Sequence, residues 1–140
     1  MNKMIKKVWF EDNSIFVNTT DGELLSQQLE IYPILFEANQ NERNNFYIWD
    51  DGQSIRWEDL DEDINLDDLQ GNESVNYNNE TNKLLSQFPY LNLKIFAEYI
   101  GMHWTKLARF KYGVWTPSEE EFNEIRNGLH KIGREMMEAV

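Results

Sequence analysis

The chain has 140 residues and no cysteine, so it allows one domain or two small ones and excludes disulfides and thiolate metal sites. Its formal net charge of −12 argues against a protein that coats nucleic acid non-specifically. The first residues become charged before an apolar run of signal-peptide length, and no apolar stretch approaches a membrane span. We therefore expect a cytoplasmic, bacterial-type protein without membrane contact.

The charge is unevenly distributed along the chain. Residues 1–75 carry a formal charge of −12, whereas residues 76–140 sum to zero. Within the second half, residues 92–115 carry +3, because Lys94, Lys106, Arg109 and Lys111 outnumber Glu98. Only this half therefore offers a local surface on which phosphates could lie comfortably.

The first half predicts a small antiparallel sheet with a helix. A strand over 7–10 and the alternation of residues 15–19 are followed by Asp21-Gly22, a strong hairpin signal, and by a strand over 24–29. Apolar residues at helical spacing predict a helix over 31–38, and a second hairpin is expected over 47–57. We place this α+β domain at residues 1–70. An asparagine-rich polar linker follows at 71–82.

The second half predicts a helical domain at residues 83–140, with four or five helices. A short helix over 83–88 ends before Pro89. In the long last helix, Thr116 is expected to cap the N-terminus, Pro117 to occupy the first helical position and Glu119 to complete a capping box. One stripe of this helix is expected to be buried: Phe122, Ile125, Leu129, Ile132 and Met136.

The stretch FAEYIGMHWTKLARFKYG, residues 96–113, has the spacing of a helix-turn-helix. Gly101 falls at the corner, where a left-handed backbone is needed, and Ala97 falls where the two helices cross most closely. An ordinary helical hairpin shares these features. The short helix before the pair and the capped helix after it favour the helix-turn-helix.

The second helix of this pair supplies the candidate DNA-contacting residues. Arg109 and Thr105 would face base edges, and Lys106 and Lys111 would contact phosphates. The predicted DNA-binding set is His103, Trp104, Thr105, Lys106, Arg109, Lys111 and Tyr112. Ala108 is placed on the same outward face. Because two half-sites multiply a modest affinity, we expect a homodimer on double-stranded DNA, with the sheet domain supplying the dimer or partner surface.

A different class of function remains open. Trp104 has one donor and a large apolar face, which is unusual on bare DNA and typical of a protein-binding anchor. The alternative is a protein–protein interaction module with a degenerate helix-turn-helix that no longer reads DNA. In that case Trp104, Arg109, Tyr112 and Trp115 would contact another polypeptide.

Signals for catalysis or metal binding are weak. Asp59, Asp61 and Asp63 have the alternate spacing of a calcium loop, but Ile64 stands where Gly is needed and Gln70 where a bidentate Glu is expected. The acidic run is better explained as a solvated edge. With two histidines and no phosphate loop or nucleophile motif, we expect neither an enzyme nor a cofactor or metal.

The first half resembles domain-of-unknown-function family 2442, in VWFEDNSIFVNTTDGELLSQQL and in the closing run IRWEDLDEDI, residues 55–64. The second half, in FAEYIG, Leu107, Gly113 and Pro117-Ser118, resembles members that also carry a C-terminal helix-turn-helix of the lambda-repressor type. The resemblance implies an α+β sheet domain followed by an all-α repressor-like domain. It also implies a DNA-binding transcriptional regulator or antitoxin-like regulator, paired with a small partner protein in a toxin–antitoxin-like pair.

The chain departs from that family pattern after the corner. Where similar members carry a polar pair it has His103-Trp104, and where they carry serine and basic residues it has Ala108, Val114 and Trp115. These departures bear on base reading rather than on the fold.

Overall fold

The computed structural model describes residues 3–140, which fall into two compact units. We call residues 3–75 the sheet unit and residues 76–140 the helical unit. The sheet unit contains two three-stranded antiparallel sheets and short helices, and the helical unit contains helices. The protein is therefore of mixed α and β structure.

The first sheet is a meander. Its strands are β1 (Ile5–Glu11), β2 (Ser14–Thr19) and β3 (Leu24–Gln28), in that order. In the central strand every second residue is buried, namely Ile15, Val17 and Thr19. Gly22, in the turn between β2 and β3, has a φ of +84°. The predicted alternation and the hairpin at Asp21-Gly22 are therefore confirmed.

The second sheet is also a meander, and its last strand was not predicted. Its strands are β4 (Tyr47–Trp49), β5 (Ser54–Trp57) and β6 (Glu62–Asn65), with β5 in the centre. Ile64 in β6 is fully buried and pairs with Ile55, although acidic residues surround it in the sequence. Trp57 is also fully buried, and its indole N–H donates to the Arg43 carbonyl at 2.8 Å.

Short helices connect and follow the two sheets. They are a 3₁₀ turn (Leu29–Ile31), α1 (Pro33–Glu37), α2 (Gln40–Asn44) and α3 (Leu66–Leu69). The helix predicted over 31–38 is thus shorter, because it begins at Pro33 after the 3₁₀ turn. A reciprocal capping box between Asn39 and Glu42 starts α2.

The helical unit contains α4 (Glu80–Leu85), α5 (Leu93–Tyr99), α6 (Trp104–Tyr112) and α7 (Glu119–Glu138). The first of these begins three residues before the predicted position, because the Asn79 side chain accepts the Asn82 amide at 2.9 Å and caps the helix. The last residues of the predicted linker therefore belong to a helix.

The cap of α7 also differs from the prediction. Ser118, not Thr116, is the N-cap, and its hydroxyl accepts the Glu121 amide at 3.1 Å. The Glu121 carboxylate accepts the Ser118 amide in return, at 3.0 Å. TPSEEE contains two overlapping capping boxes, and the later one is used because Glu121 also pairs with Lys106.

The core of the helical unit lies between α5, α6 and α7. Its buried side chains are Leu85, Phe96, Ala97, Met102, Leu107, Phe110 and Ile125. Gly128 lets α7 approach α5 closely, since a Cβ atom there would lie 2.3 Å from Ile100 Cγ2. The predicted stripe of α7 fails at Met136, which is 60% exposed because the helix extends beyond this core.

Candidate nucleic-acid interface

The helices α5 and α6 meet at a tight corner. Asn92 caps α5 by accepting the Ile95 amide at 3.0 Å, and Gly101 turns the chain with a φ of +73°. The Met102 amide then donates to the Ala97 carbonyl at 2.9 Å. Ala97 is fully buried. The left-handed glycine and the small residue predicted for this corner are both confirmed.

His103 caps the N-terminal end of α6. Its Nδ1 accepts the Thr105 amide at 3.2 Å and lies 2.7 Å from the Thr105 hydroxyl. Thr105 is only 9% exposed. The prediction that this side chain points outward, toward base edges, is wrong, because the cap engages the hydroxyl and turns it inward.

Two other residues expected on the outward face are also buried. Ala108 is fully buried, and the Tyr112 ring packs edge-on against Tyr77 at 5.7 Å between centroids. Residues 105, 108 and 112 share one face of a helix with 3.6 residues per turn. That face is turned toward the segment that precedes α4, since the Tyr112 carbonyl accepts the Asn76 amide at 2.9 Å. For Ala108 and Tyr112 the outward orientation predicted from the sequence is therefore wrong.

The half-exposed surface of α6 forms two strips, and its N-terminal end is exposed. Lys106 and Arg109 form one strip, Trp104 and Lys111 the other, and His103 lies exposed at the end. The first strip combines the two cations that sequence spacing predicts for a DNA-facing surface. We call Lys106, Arg109 and His103 the recognition strip.

Trp104 is half-buried at the edge of the core. The Lys94 ammonium lies 4.5 Å from the centroid of its ring, within cation–π range. The His103 ring lies 6.5 Å away and nearly parallel to it. Only part of the indole is therefore available to a partner, and the cation above it adds positive charge to the N-terminal end of α6.

The two cations of the recognition strip have different neighbours. The Lys106 ammonium lies 2.5 Å from Glu121 Oε2. This ion pair, together with the Ser118 amide, lowers the pKa of Glu121 to about 2. The Arg109 guanidinium lies over the Trp115 ring, 4.7 Å from its centroid. One cation is thus held by an acid, and the other is positioned by an aromatic face.

Charged residues are distributed so that α5 and α6 begin without an acid. Neither helix has an acidic residue in its first turn, and α6 ends with Arg109 and Lys111 in its last turn. The first turn of α7, in contrast, holds Glu119, Glu120 and Glu121. Cations near a helix C-terminus and the absence of acids near an N-terminus both suit a site for anions.

The sequence did not assign two features of this region. Asn79 donates through its side-chain amide to the Asn76 carbonyl at 2.8 Å and to the Lys111 carbonyl at 3.0 Å, which ties the segment before α4 to the end of α6. Lys94 on Trp104 was counted in the local charge but not as a site residue. The helix-capping preference of asparagine was the signal available for Asn79.

Metal-ligand clusters and membrane-spanning helices are two further features that could define a site. Across residues 3–140, no group of three or more histidine, aspartate or glutamate side chains could hold a metal ion. In the same range, no helix has the length and apolar character needed to cross a bilayer.

Comparison with known proteins finds a family match for the first half of the chain. No curated protein matches it. The solved structure of a "putative DNA binding protein" from Nitrosomonas europaea is similar over 89% of this chain and 84% of that one, at 13% identity and a TM-score of 0.36. Values this low support no conclusion about fold or function. Residues 5–73 match the family model of the protein of unknown function DUF2442, which confirms the resemblance of the first half. The sheet unit is therefore similar to DUF2442 domains over nearly all of its length.

Proposed function

We propose that the helical unit binds double-stranded DNA through a lambda-repressor-like helix-turn-helix formed by α5 and α6. The protein would act, without enzymatic activity, as a transcriptional or antitoxin-like regulator. One observation carries this proposal: a glycine corner with a left-handed backbone presents the exposed N-terminal end of α6, with basic side chains grouped around it. A major groove accepts a helix end of this kind.

The recognition strip supplies the proposed base contacts. Arg109 can donate two hydrogen bonds to the acceptor edge of a guanine. Because Nδ1 of His103 accepts the Thr105 amide, the neutral imidazole carries its hydrogen on Nε2. His103 is exposed and can therefore donate to a base or a phosphate. Thr105 is left out of the proposed contacts, since its hydroxyl is engaged within the protein.

Phosphate contacts are assigned to the surrounding lysines. Lys94 lies beside the N-terminal end of α6 through its position over Trp104. Lys106 would exchange its contact with Glu121 for a phosphate oxygen, and half-exposed Lys111 lies on the second strip. Two copies bound to adjacent half-sites would double these contacts, which supports a homodimer as the DNA-bound form.

The test is a fluorescence-anisotropy titration of the full chain against a labelled, sequence-randomised duplex at 50 and 200 mM salt. Three phosphate contacts per copy predict a log–log slope of roughly −3 for one bound copy and roughly −5 for a bound dimer, from about −0.9 per contact. Arg109→Ala should weaken binding by about tenfold, whereas Lys83→Ala, which removes an exposed cation from α4, should change it by less than about twofold. Salt-independent binding, or equal losses in both variants, would contradict the proposal.

A protein-binding role is the second candidate, and one observation favours it. Trp115 is exposed and lies under Arg109, so the two present a flat apolar and cationic surface. In that case Arg109→Ala leaves the DNA titration unchanged, and Trp115→Ala abolishes capture of a polypeptide that the wild-type chain retains. That the chain binds a small partner protein, as in a toxin–antitoxin-like pair, stays a prediction, and this capture experiment tests it.

A further inference from the structure

We propose that two copies of the chain associate by placing an acidic aromatic tip on the sheet unit of one copy into a cationic apolar groove on the helical unit of the other. The tip consists of Tyr47, Ile48, Trp49, Asp50 and Asp51. The groove lies between α4, with the residues that follow it, and the second half of α7. This inference deepens the homodimer part of the proposed function, and its test requires no DNA.

The groove has an apolar floor with a volume of about 600 Å³. Its floor is formed by Leu84, Phe88, Leu129 and Met137. Gly133 lies between the last two on the same face of α7, and a Cβ atom there would meet nothing within 4 Å. Met137 is 88% exposed. A glycine inside an exposed helix weakens that helix, and here it opens a position where another surface can approach the backbone.

The rim of the groove is cationic. Arg126, His130 and Arg134 lie along one side of it. Within residues 3–140, none of the three has a carboxylate at ion-pairing distance. The chain has 25 acidic residues against 13 basic ones, so a basic rim without an acidic neighbour is unexpected by composition. It fits a partner that is both apolar and acidic.

The tip has that chemistry. The edge strand β4 exposes Tyr47, Ile48 and Trp49, the last of them by 47% of its surface. Natural edge strands are usually protected by charge or proline, and exposed aromatic residues in a cluster indicate a contact surface. Asp50 and Asp51 follow directly in the turn and are exposed.

The turn that carries these two carboxylates is well defined. The Asp50 carbonyl accepts the Gln53 amide at 3.0 Å, and the Gly52 carbonyl accepts the Ile5 amide at 2.8 Å. Neither aspartate has an ion-pair partner among the described residues. The tip therefore offers two unneutralised carboxylates next to an apolar surface, in a conformation fixed before binding.

A second copy is the occupant that these observations favour. Each copy carries one tip and one groove, so a reciprocal pair of contacts uses both surfaces in each chain. The two carboxylates of the tip match the cations of the rim, and the aromatic side chains match the apolar floor. The strongly acidic sheet unit would then face the neutral helical unit of its partner rather than another acidic sheet unit.

The experiment is sedimentation equilibrium of the full chain without DNA, at 1 to 200 μM and at low and high salt. Wild type should form a dimer that weakens with salt. The pair Asp50→Lys and Asp51→Lys should weaken it by about tenfold, as should the pair Arg126→Glu and Arg134→Glu. Combining all four changes should restore association, because the charges are exchanged between tip and groove.

A matched control reverses two exposed acids elsewhere in the sheet unit, at the end of β1 and in the turn after it, by Glu11→Lys and Asp12→Lys. It should change the dimer constant by less than about twofold. Circular dichroism checks that each variant is folded. Four results would overturn the inference: a monomeric wild type, growth beyond a dimer, a dimer insensitive to tip reversal, or no rescue by the fourfold variant.

One overturning result would point to another interface. If Met137→Gln dissociates a dimer that the tip variants leave intact, α7 packs against a second α7 instead. Association and DNA binding are measured separately. A dimer without DNA affinity would contradict the proposed DNA binding and leave this inference in place. DNA binding by a monomer would contradict this inference, together with the homodimer part of the proposed function, and leave DNA binding itself in place.

Discussion

Arg56 of the sheet unit and several cations of the helical unit have different kinds of neighbouring side chain. In the sheet unit, Arg56 on β5 donates to Glu58, Asp61 and Asp63 at 2.8, 2.8 and 2.7 Å, so one guanidinium contacts two carboxylates of the turn after β5 and one of β6. In the helical unit, Lys94, Arg109, Arg126 and Lys131 lie over aromatic rings. A carboxylate neutralises a cation, whereas an aromatic face attracts a cation through its quadrupole and carries no opposite net charge.

This difference bears on the proposed binding of DNA by the helical unit of an acidic chain. In the sheet unit, Lys3 and Arg56 form ion pairs with carboxylates, whereas the Lys7 ammonium lies 5.2 Å from the centroid of the Trp9 ring. The helical unit has equal numbers of acids and bases, but its acids concentrate in the first turn of α7. The recognition strip combines both arrangements, because Arg109 lies over the Trp115 ring while Lys106 pairs with Glu121.

The largest effect is expected from Gly128→Ala, which should destabilise the helical unit alone. The added Cβ would lie 2.3 Å from Ile100 Cγ2, so α7 must move away from α5, at a cost of about 1–3 kcal/mol. Gly133→Ala is the matched control, since its Cβ meets nothing, and it should stabilise the helix by roughly 0.5–1 kcal/mol. Urea unfolding followed at 222 nm measures both. If both variants changed the free energy of unfolding equally, the contact between α5 and α7 would not be close.

Acid should weaken the helical unit through Glu121. The ion pair with Lys106 and the Ser118 amide lower its pKa from 4.5 to about 2, so its stabilising contribution is present above pH 4.5 and is lost as the pH falls toward 2. The free energies of unfolding of wild type and Glu121→Gln should therefore differ at pH 5 and become equal near pH 2. A difference that stays constant over this range would contradict the ion pair.

The same carboxylate should limit DNA affinity. Glu121→Gln keeps the capping box, because glutamine can accept the Ser118 amide, but releases Lys106 for a phosphate. We expect about threefold tighter binding at 50 mM salt with an unchanged salt slope, because Lys106 then contacts a phosphate without first leaving a carboxylate. Glu120→Gln removes a neighbouring exposed charge and is the control. If both variants gain the same DNA affinity, Lys106 does not contact DNA.

The smallest effect concerns Arg56 in the sheet unit. Arg56→Met leaves three neighbouring carboxylates without their shared cation, so it should destabilise the sheet unit at low salt and less at 1 M salt. DNA affinity should not change. A loss of DNA binding in this variant would mean that the two units do not act separately.

Local backbone chemistry was predictable from the sequence. Alternation predicted β2, Asp21-Gly22 predicted a hairpin, and Gly101 predicted the corner, because each depends on residues close in the chain. Strand β6 was missed because its single buried residue, Ile64, stands among acidic residues that face solvent. Period-two patterns are weak when only one residue of a short strand is apolar.

The faces of α6 could not be assigned without tertiary structure. Thr105, Ala108 and Tyr112 were placed outward because the segment before α4 was read as a linker, whereas that segment packs against α6 through Asn76, Tyr77 and Asn79. A helix covered on two sides has less free surface than an amphipathic pattern suggests. The DNA-binding role of the remaining predicted residues stays a prediction.

The most direct test of the DNA-binding proposal is an NMR titration of the ¹⁵N-labelled full chain with a short duplex. We expect the amide signals of His103 to Lys106 and the Arg109 Nε–H signal to shift together, while the amide signals of Ile64 in β6 and Met137 in α7 stay in place. Shifts confined to the sheet unit or to the groove, with α6 unchanged at saturating duplex, would contradict it.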